Sequence, residues 1–394
     1  MPDPEPISLS EIRLSIASIK EAFAAMRDPR RDHLKRFLLP DLLVLAVSGM
    51  LAGCEDWVDM EDFGEQRAEW FHAQGLFPQG MPSHDTLGRV FRVLDAVVMR
   101  ACFAQWVQQA MGTVSGVVAI DGKTSRGTAD GETRGPIHTV SAYASEAGLT
   151  LAHTAVAEKS NEITAIPVLL EMLALKGCTV TIDAIGCQKD IATCIRKRGG
   201  DYLLQVKGNQ PATLNDLSTF FADADARGWK DIVHTLARTD SHGHDHGHGR
   251  DETRIAHACR VRGPWLDAHG WTDLHQIVRI RRTRRVGSAT STEDSYYITS
   301  ERCDAARLLS MARQHWGIEA THWILDVAFN EDRSRARKDN AAHNLVTIRR
   351  FVLNLLRRNP ETKHRSIKRR RRRASYSMEG LCQLMKLAAV SPGE

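Results

Sequence analysis

The sequence has little of what would mark it as a membrane, secreted or fibrous protein. Its longest apolar run, residues 42–52, is about half the roughly 20 residues that a membrane-spanning helix needs. The N-terminal residues are acidic and rich in proline, so no secretory signal is expected. The eight cysteines include no Cys-x-x-Cys pair, which disfavours a zinc ribbon or a disulfide framework and favours a reducing cytoplasm.

Charges of the two signs nearly balance along the chain. The 394 residues include 53 Lys and Arg against 48 Asp and Glu, which leaves a net charge of +5. With 42% hydrophobic and 26% charged residues, the composition is that of ordinary globular proteins. Collagen-like, coiled-coil and wholly disordered chains are therefore excluded, and the length corresponds to about two or three domains. The basic excess is concentrated in residues 279–285 and 363–373.

The spacing of apolar residues divides the chain into a helical first part and a mixed second part. Recurrence at every third or fourth position predicts helices over residues 9–110. Short apolar runs then predict strands at 116–121, 137–145, 149–156, 178–183 and 202–207, with helices at 162–175, 188–197, 304–330 and 339–357. This alternation indicates an α/β (α+β) fold with a mixed sheet and covering helices.

Two aspartates directly follow apolar strands. Asp121 ends one run and precedes Gly122, and Asp183 ends another and precedes a turn that closes at Gly186. A carboxylate in this position lies at the rim of a sheet, where α/β folds bind ligands. The structural alternative is that each aspartate simply begins a turn, since Asp is a favoured turn residue.

Glu319 is the third acid of interest, and it lies in the helix predicted from residue 304. Apolar residues at three- and four-residue spacing predict one packed stripe on that helix: Leu308, Ala312, Trp316, Trp323 and Val327. Glu319 lies at the edge of this stripe, which His315, His322 and Asp326 share. Burying a bare charge costs several kcal/mol, so Glu319 needs a partner there. An arginine salt bridge is the alternative to a ligand role.

Together the three acids suit a site for divalent metal ions. Carboxylates within a few Å repel one another, and hard cations with oxygen ligands relieve that repulsion. Two ions roughly 3.5–4 Å apart can activate an attacking oxygen and stabilise a leaving oxygen in phosphodiester chemistry. Spacing alone does not single out this triple, because the chain has 48 acids.

Several segments, taken in order, resemble the H-repeat-associated group of bacterial insertion-sequence transposases. They are AIDGK (119–123), KSNEITAIPVLLEML (159–173), TVTIDAIGCQKDIA (179–192), DYLLQVKGNQP (201–211) and HWGIEATHWILDVAFNEDRSRAR (315–337). Residues 81–95 are similar to the helical region that precedes the catalytic domain in that group. The resemblance covers roughly residues 10–360.

This resemblance implies an RNase-H-like DDE core that is interrupted by a β-rich insertion. Asp121 would lie on the first strand, Asp183 on the fourth strand, and Glu319 on the helix after the insertion. All three would be catalytic and would bind two Mg²⁺ ions, for which Mn²⁺ would substitute. The implied activity is Mg²⁺-dependent cleavage and strand transfer on double-stranded DNA, at the element ends and at the target. A homodimer or larger synaptic complex, no membrane partner and a cytoplasmic, nucleoid-associated location are also implied.

The chain would then divide into five parts. These are an N-terminal helical domain that contacts DNA (1–110), the first part of the core (111–210), the inserted β-rich domain (211–302), the second part of the core (303–360) and a basic tail (361–394).

Basic residues beside the acids and in the two basic stretches are the predicted DNA contacts. They are Lys123, Lys207, His315, Arg279, Arg281, Arg282, Arg284, Arg285, Lys368, Arg369, Arg370 and Arg371. Clustered cations neutralise phosphates and gain from counterion release, although a solvated face or tail is the alternative for either stretch. Related transposases often carry Arg four residues before the Glu and Lys seven residues after it. Here His315 and Asp326 occupy those positions.

Other patterns point to different chemistry. Residues 121–124 (DGKT) lack the glycine that a phosphate loop needs at position 117. The histidines at 242, 244, 246 and 248 could bind metal, but their glycine-rich setting is typical of a surface loop. Glu-x-x-His occurs twice, at residues 69–72 and 319–322, as in di-metal helical bundles, but the strands between them oppose a bundle. A transposon-derived DNA-binding protein without cleavage activity is the alternative function.

Overall fold

The computed structural model describes residues 8–130, 135–157, 160–242, 250–261, 269–360 and 363–389. Within these ranges, no helix is long and apolar enough to cross a membrane. Most of the His/Gly-rich stretch, residues 243–249, lies outside the described residues. The choice between a surface loop and a metal site there therefore stays a prediction.

Helices precede the first strand, as the apolar periodicity predicts. Their bounds are α1 (Leu9–Ala22), α2 (Leu39–Ala52), α3 (Trp57–Gln66), α4 (Ala68–Ala73), α5 (His84–Val93) and α6 (Ala96–Met111). Ser8, Asp56, Ser83 and Asp95 cap four of them by accepting hydrogen bonds from first-turn amides. Nearly every residue of α2 is buried, and this helix packs against α1 and α3. It is therefore the centre of the N-terminal helical part.

Five strands form the central part of the sheet. They are β1 (Gly116–Ser125), β2 (Ile137–Ala144), β3 (Leu149–Ala155), β4 (Cys178–Ile182) and β5 (Asp201–Val206), in the order β3-β2-β1-β4-β5. The first three strands are antiparallel neighbours, whereas β1, β4 and β5 run parallel. Parallel neighbours need crossover connections, and α7 (Glu162–Glu171) and α8 (Lys189–Lys197) provide them. This arrangement confirms the predicted RNase-H-like mixed sheet.

Residues 211–302 begin with a helix and then continue the same sheet. The sequence pattern predicts no helix here, yet α9 (Pro211–Ala226) precedes the strands β6 (His234–His242), β7 (Arg250–Arg260), β8 (Gln276–Val286) and β9 (Ala289–Thr299). The last strand, β9, pairs antiparallel with β5, and β8, β7 and β6 follow outward. The inserted strands therefore extend the edge of the central sheet.

Helices complete the described chain. They are α10 (Ala305–Gln314), α11 (Trp316–Phe329), α12 (Ala341–Arg358), α13 (Ile367–Tyr376) and α14 (Met378–Lys386). The single helix predicted over 304–330 is thus two helices, which meet at His315. The predicted apolar stripe is wrong for three of its members, Trp316, Trp323 and Val327, which are 55%, 64% and 45% exposed. The apolar face of the second helix is a different one from the predicted stripe, since residues such as Ile318 and Leu325 face the core instead.

A buried ion pair joins α12 to Glu331, which follows α11 and is hydrogen bonded to the end of β1. Arg350 Nη1 lies 3.4 Å from Glu331 Oε2, and the two side chains are 1% and 0% exposed. Ser125 Oγ donates to Glu331 Oε1 (3.1 Å), and Arg350 Nη2 donates to Thr139 Oγ1 (3.2 Å). Burial acts to raise the pKa of Glu331, but the charges of Arg350, Arg349 and Lys123 and the hydrogen bond from Ser125 together lower it. The pair holds the residues that follow α11 against the sheet.

Removing one partner of this pair should destabilise the fold strongly. Arg350→Met leaves the Glu331 carboxylate buried without its charge partner, and the unfolding free energy should fall by about 3–5 kcal/mol in urea denaturation at pH 7. Replacing Glu331 with Leu as well should recover only part of this loss, since the buried carboxylate is gone but the buried Arg349 loses the charge of Glu331. The exposed Arg227–Asp223 pair is the control, because Arg227→Met should cost less than about 1 kcal/mol. An Arg350→Met loss no larger than that control would contradict the assignment.

Candidate active site

Two of the three predicted acids lie side by side at the carboxyl end of β4. Ile120 on β1 is in register with Ile182 on β4, so the next residues, Asp121 and Asp183, are neighbours across the two parallel strands. The shorter strand β4 ends at this point, whereas β1 continues to Ser125 and pairs only with β2 beyond it. Both aspartates are therefore partly exposed at an opening in the sheet, the position where such sheets bind ligands.

The helix α11 lies along β1 in a fixed register. Ile318 packs on Ala119 and Tyr143 in one small apolar cluster. His322 Nδ1 lies 3.3 Å from Asp121 Oδ2. A step of four residues along a helix is about 6 Å, and a step of two residues along a strand is about 6.6 Å. The two steps are therefore nearly equal in length, so the side chains on one face of the helix contact alternate residues of β1.

An ion pair continues this register at the next step. Lys123 Nζ lies 2.6 Å from Asp326 Oδ1 and 3.4 Å from Asp332 Oδ1. A glycine permits the close approach at the other end, because a Cβ added at Gly317 would lie 2.8 Å from Tyr143 Cε1. The helix is thus held at both ends of the contact. Glu319, one residue after Ile318, is thereby placed beside the two aspartates.

The pKa values of two acids report the crowding of negative charge. Burial and then the charge of Asp121 raise the pKa of Asp183, and the same two causes, in the same order, raise the pKa of Glu319. Each aspartate also has a local donor, since Asp121 contacts His322 and Asp183 Oδ1 accepts from the Ile185 amide (3.2 Å). In the described parts of the chain, no three His, Cys, Asp or Glu side chains are close enough to enclose a metal ion. The three acids are neighbours that would have to turn inward to share one.

A cleft of about 370 Å³ connects these acids to the inserted strands. Asp183 and Glu319 line it, and so do four cations, Lys207, Arg254, Arg282 and Arg313, together with His315. One further acid, Glu293, lines the cleft as the ion-pair partner of Arg282 (2.6 Å). Lys207, Arg282 and His315 are sequence-predicted contacts, whereas Arg254 and Arg313 were missed. Arg254 is directly opposite Arg282 in the β7–β8 pair, a relation that only the register reveals.

His315 lines this cleft and is half-buried. Its Nδ1 is hydrogen bonded to Thr181 Oγ1 (3.0 Å). Burial lowers the pKa of His315, although Asp121 opposes that effect. A neutral imidazole contributes no charge to a phosphate contact, so any contact of His315 with DNA would be a hydrogen bond.

The run of five arginines on β8 is divided between the two faces of the sheet, because successive strand residues point to opposite sides. Arg282 and Arg284 share the face of Ile280 and of the cleft. The other three, Arg279, Arg281 and Arg285, share the opposite face. Arg279 is 2% exposed and donates to both carboxylate oxygens of Asp225 (2.6 and 3.0 Å).

Arg281 is also paired with acids, because it forms ion pairs with Asp225 (3.2 Å) and Asp294 (2.7 Å). The prediction that Arg279 contacts DNA is therefore corrected, because its side chain is buried in a structural ion pair, whereas Arg281, whose side chain is 37% exposed, stays a prediction.

Three other predicted DNA contacts are also buried. The Lys123 side chain is 5% exposed and occupied by its two aspartates. Arg370 is 7% exposed and donates to the carbonyls of Leu356 and Arg365. Arg371 is 4% exposed and donates to carbonyls at the ends of α2 and α11. These predictions are corrected for the same reason, whereas Lys368 and Arg369 are exposed on α13 and stay predictions.

Comparisons with known proteins agree with this arrangement. The profile of the family described as "Transposase DDE domain" matches residues 86–355, and the profile described as "DDE_Tnp_1-associated" matches residues 20–107. The chain is 38% identical over 371 residues to "Putative transposase YncI" of Escherichia coli O157:H7, across 92% of this chain and 93% of that protein. It is 32% identical over 386 residues to "H repeat-associated putative transposase YhhI" of Escherichia coli K12, across 96% of this chain and 100% of that protein.

One solved structure is also similar, a piggyBac transposase synaptic complex with hairpin DNA. The TM-score is 0.43 at 12% identity, over 93% of this chain and 79% of that chain. A similarity of this size carries no argument about the present chain.

The Lys123–Asp326 contact should couple energetically, because it fixes the register of α11 on β1. In a double-mutant cycle of Lys123→Met and Asp326→Leu, followed by urea denaturation, the coupling energy should be about 1–3 kcal/mol. The exposed Lys35–Asp32 pair is the matched control and should couple by less than about 0.5 kcal/mol. Equal coupling in the two cycles would mean that the contact does not hold the helix.

The crowded acids should make the protein less stable at neutral pH than it would be without one of them. A pKa that is raised in the folded state gives stability below the unfolded-state value, 3.8 for Asp183, and that stability is lost as the pH rises. Asp183→Asn should therefore raise the Tm at pH 7 in a chelating buffer, and the gain should disappear as the pH falls toward 3.8. Asp62→Asn, at an exposed position in the middle of α3, is the control and should change neither the Tm nor its dependence on pH. A Tm gain that does not depend on pH would contradict the electrostatic cause.

Proposed function

The chain belongs to the DDE transposase family, and from this premise we propose that it cuts DNA at the ends of a mobile element and transfers the cut strand to a target. The observation that carries the proposal is that Asp183 and Glu319 line a cleft to which four cations also contribute, while Asp121 is the neighbour of Asp183 on the adjacent strand. Such a pairing suits a phosphodiester substrate, since the acids can serve the reacting phosphate while the cations hold its neighbours.

Asp121, Asp183 and Glu319 are the proposed catalytic residues and metal ligands. DDE transposases generally use divalent metal ions, and carboxylate oxygens are the ligands that Mg²⁺ prefers. Two bound Mg²⁺ ions, or Mn²⁺ in their place, would activate the attacking water or 3′-hydroxyl and stabilise the leaving oxygen. The raised pKa values of Asp183 and Glu319 support this assignment, because cations would relieve the repulsion that contributes to them.

The remaining residues of the site would position these acids and the DNA. His322 contacts one oxygen of Asp121 and would orient the carboxylate, while the Lys123–Asp326 pair keeps α11 in register. Lys207 and Arg282 line the cleft and would contact backbone phosphates. Arg284, on the same face of the sheet, would extend this contact. The exposed Arg285, Lys368 and Arg369 lie outside the cleft and would contact DNA separately.

The proposed partners follow from the activity. The substrate would be double-stranded DNA at the element ends and at the target. Two ends must be held together for transposition, so a homodimer or larger assembly is proposed, with the N-terminal helical part (1–110) contributing to DNA contact. The five-part division of the chain and a cytoplasmic, nucleoid-associated location belong to the same proposal.

Nicking of supercoiled plasmid tests this function. The plasmid should carry the DNA that flanks the gene, and the protein should be assayed with Mg²⁺ and with a chelator. Wild-type protein should nick only with Mg²⁺, because the acids act through bound ions. Asp183→Asn should reduce nicking to the level seen with chelator but should keep DNA binding.

The control for this experiment is Asp190→Asn, which makes the same chemical change at an exposed position on α8 and should nick normally. Full activity of Asp183→Asn would remove Asp183 from the mechanism. DNA binding by the wild type without nicking on any flanking DNA would favour a DNA-binding protein that does not cleave.

A further inference from the structure

A second cavity, away from the three acids, lies between the N-terminal helices and the chain that follows α11. Its volume is about 840 Å³. One wall is formed by α3 and α5, and the other by residues 330–338. Residues 333–338 (RSRARK), here named the arginine segment, contain four cations in six positions. None of them is among the DNA contacts predicted from the sequence.

The arginine segment is held rigidly against the core. Gly127 is the contact point, since a Cβ there would lie 2.7 Å from the carbonyl oxygens of Asp332 and Ser334. Arg337 Nε donates to the Gly127 carbonyl (3.1 Å), and the Arg126 amide donates to Asp332 Oδ1 (3.3 Å). The backbone that carries the cations is therefore already ordered, so a ligand would not have to bear the cost of ordering it.

The side chains that line this cavity carry more positive than negative charge. Five cations line it (Arg92, Arg333, Arg335, Arg337 and Lys338) against three acids (Glu55, Asp56 and Asp130). Glu55 accepts from Asn330 Nδ2, and Asp56 caps α3.

Three of the cations stand out from this set. The side chains of Arg333, Arg335 and Lys338 are exposed, and within the described part of the chain they have no ion pair or hydrogen bond. Exposed guanidinium and ammonium groups on an ordered backbone suit a polyanion.

The arginine segment is also close enough to the acids for one DNA duplex to contact both. Asp332, which anchors it, contacts Lys123, and Lys123 is two residues after Asp121 on the same face of β1. From Glu319 to Asn330, the C-cap of α11, eleven steps of 1.5 Å span about 16 Å. That is the axial length of roughly five base pairs at 3.4 Å each. A duplex whose phosphate lies at the acids would therefore pass within reach of the segment.

We propose that the arginine segment is a phosphate-binding surface for the duplex next to the cut. The contact is with the DNA backbone and carries no sequence preference, because guanidinium and ammonium groups that meet phosphates do not read base edges. The surface acts as a clamp at the junction of the N-terminal helices and the core. This inference rests on the proposed function, since it takes the substrate to be double-stranded DNA.

The test uses the full chain and a random-sequence duplex of about 30 base pairs in chelating buffer, so that nothing is cut. The variant is Arg333→Gln, Arg335→Gln and Lys338→Gln together. The matched control is Arg27→Gln, Lys176→Gln and Lys197→Gln, three exposed cations. Lys176 and Lys197 precede β4 and β5, so they lie toward the amino-terminal ends of these strands, whereas the acids lie at the carboxyl ends. Binding is measured by fluorescence anisotropy over a range of salt concentrations.

The slope of log K against log salt reports the number of phosphates neutralised, at about 0.9 per contact on a duplex. The arginine-segment variant should lose about 2–3 from the magnitude of this slope, and the control should lose less than 1. Equal slopes in the two variants would overturn the inference. Circular dichroism melts of both variants should match the wild type, because all six side chains are exposed.

The outcome is separable from that of the proposed function. Binding is measured without cleavage. If the arginine-segment variant shows the predicted slope change but the wild type nicks no DNA, only the proposed cleavage is contradicted. Nicking by the wild type, together with an unchanged slope in the arginine-segment variant, would contradict only the clamp.

Discussion

The site depends on the register between one helix and one strand. Alternate residues of β1, from Ala119 to Lys123, meet α11 at steps of four residues. The first contact is apolar, the second joins His322 to Asp121, and the third is the Lys123–Asp326 ion pair. Because the rise of four helical residues nearly equals that of two strand residues, all three contacts form together. Glu319 comes beside the aspartates only in this register.

Buried arginines hold the far end of the same helix. Arg371 donates to the carbonyls of Met50, Cys54 and Ala328, and its guanidinium lies 4.3 Å from the centre of the Phe329 ring. It therefore caps the carboxyl ends of α2 and α11, where a positive charge is favoured. Desolvation by burial lowers its pKa to about 10. Together with the Arg350–Glu331 pair, this contact links the N-terminal helices, the C-terminal helices and the site, so a charge pattern that resembles a solvated tail is partly interior.

Local sequence patterns predict the strand ends well and the distribution of charge poorly. The apolar runs before Asp121 and Asp183 are enough to place both residues at a sheet edge. Nothing local brings Glu319 to them, since 136 residues separate it from Asp183 and only the resemblance to a family pairs them. The apolar stripe through Trp316 fails because residues 304–330 form two helices, and the second helix buries Ile318 and Leu325 instead. The buried and exposed arginines of residues 363–373 look alike in sequence, because burial there is decided by distant backbone carbonyls.

The central claim is that three acids, distant along the chain, can share bound cations. Crystals of the protein soaked in Mn²⁺, with data collected near the manganese absorption edge, test it most directly. The account predicts anomalous density at about 2.1–2.2 Å from carboxylate oxygens of Asp121 and Asp183, with Glu319 turned toward it, and no such density in Asp121→Asn crystals. Anomalous density bound only elsewhere, or a cleft that stays without manganese at saturating concentration, would contradict it.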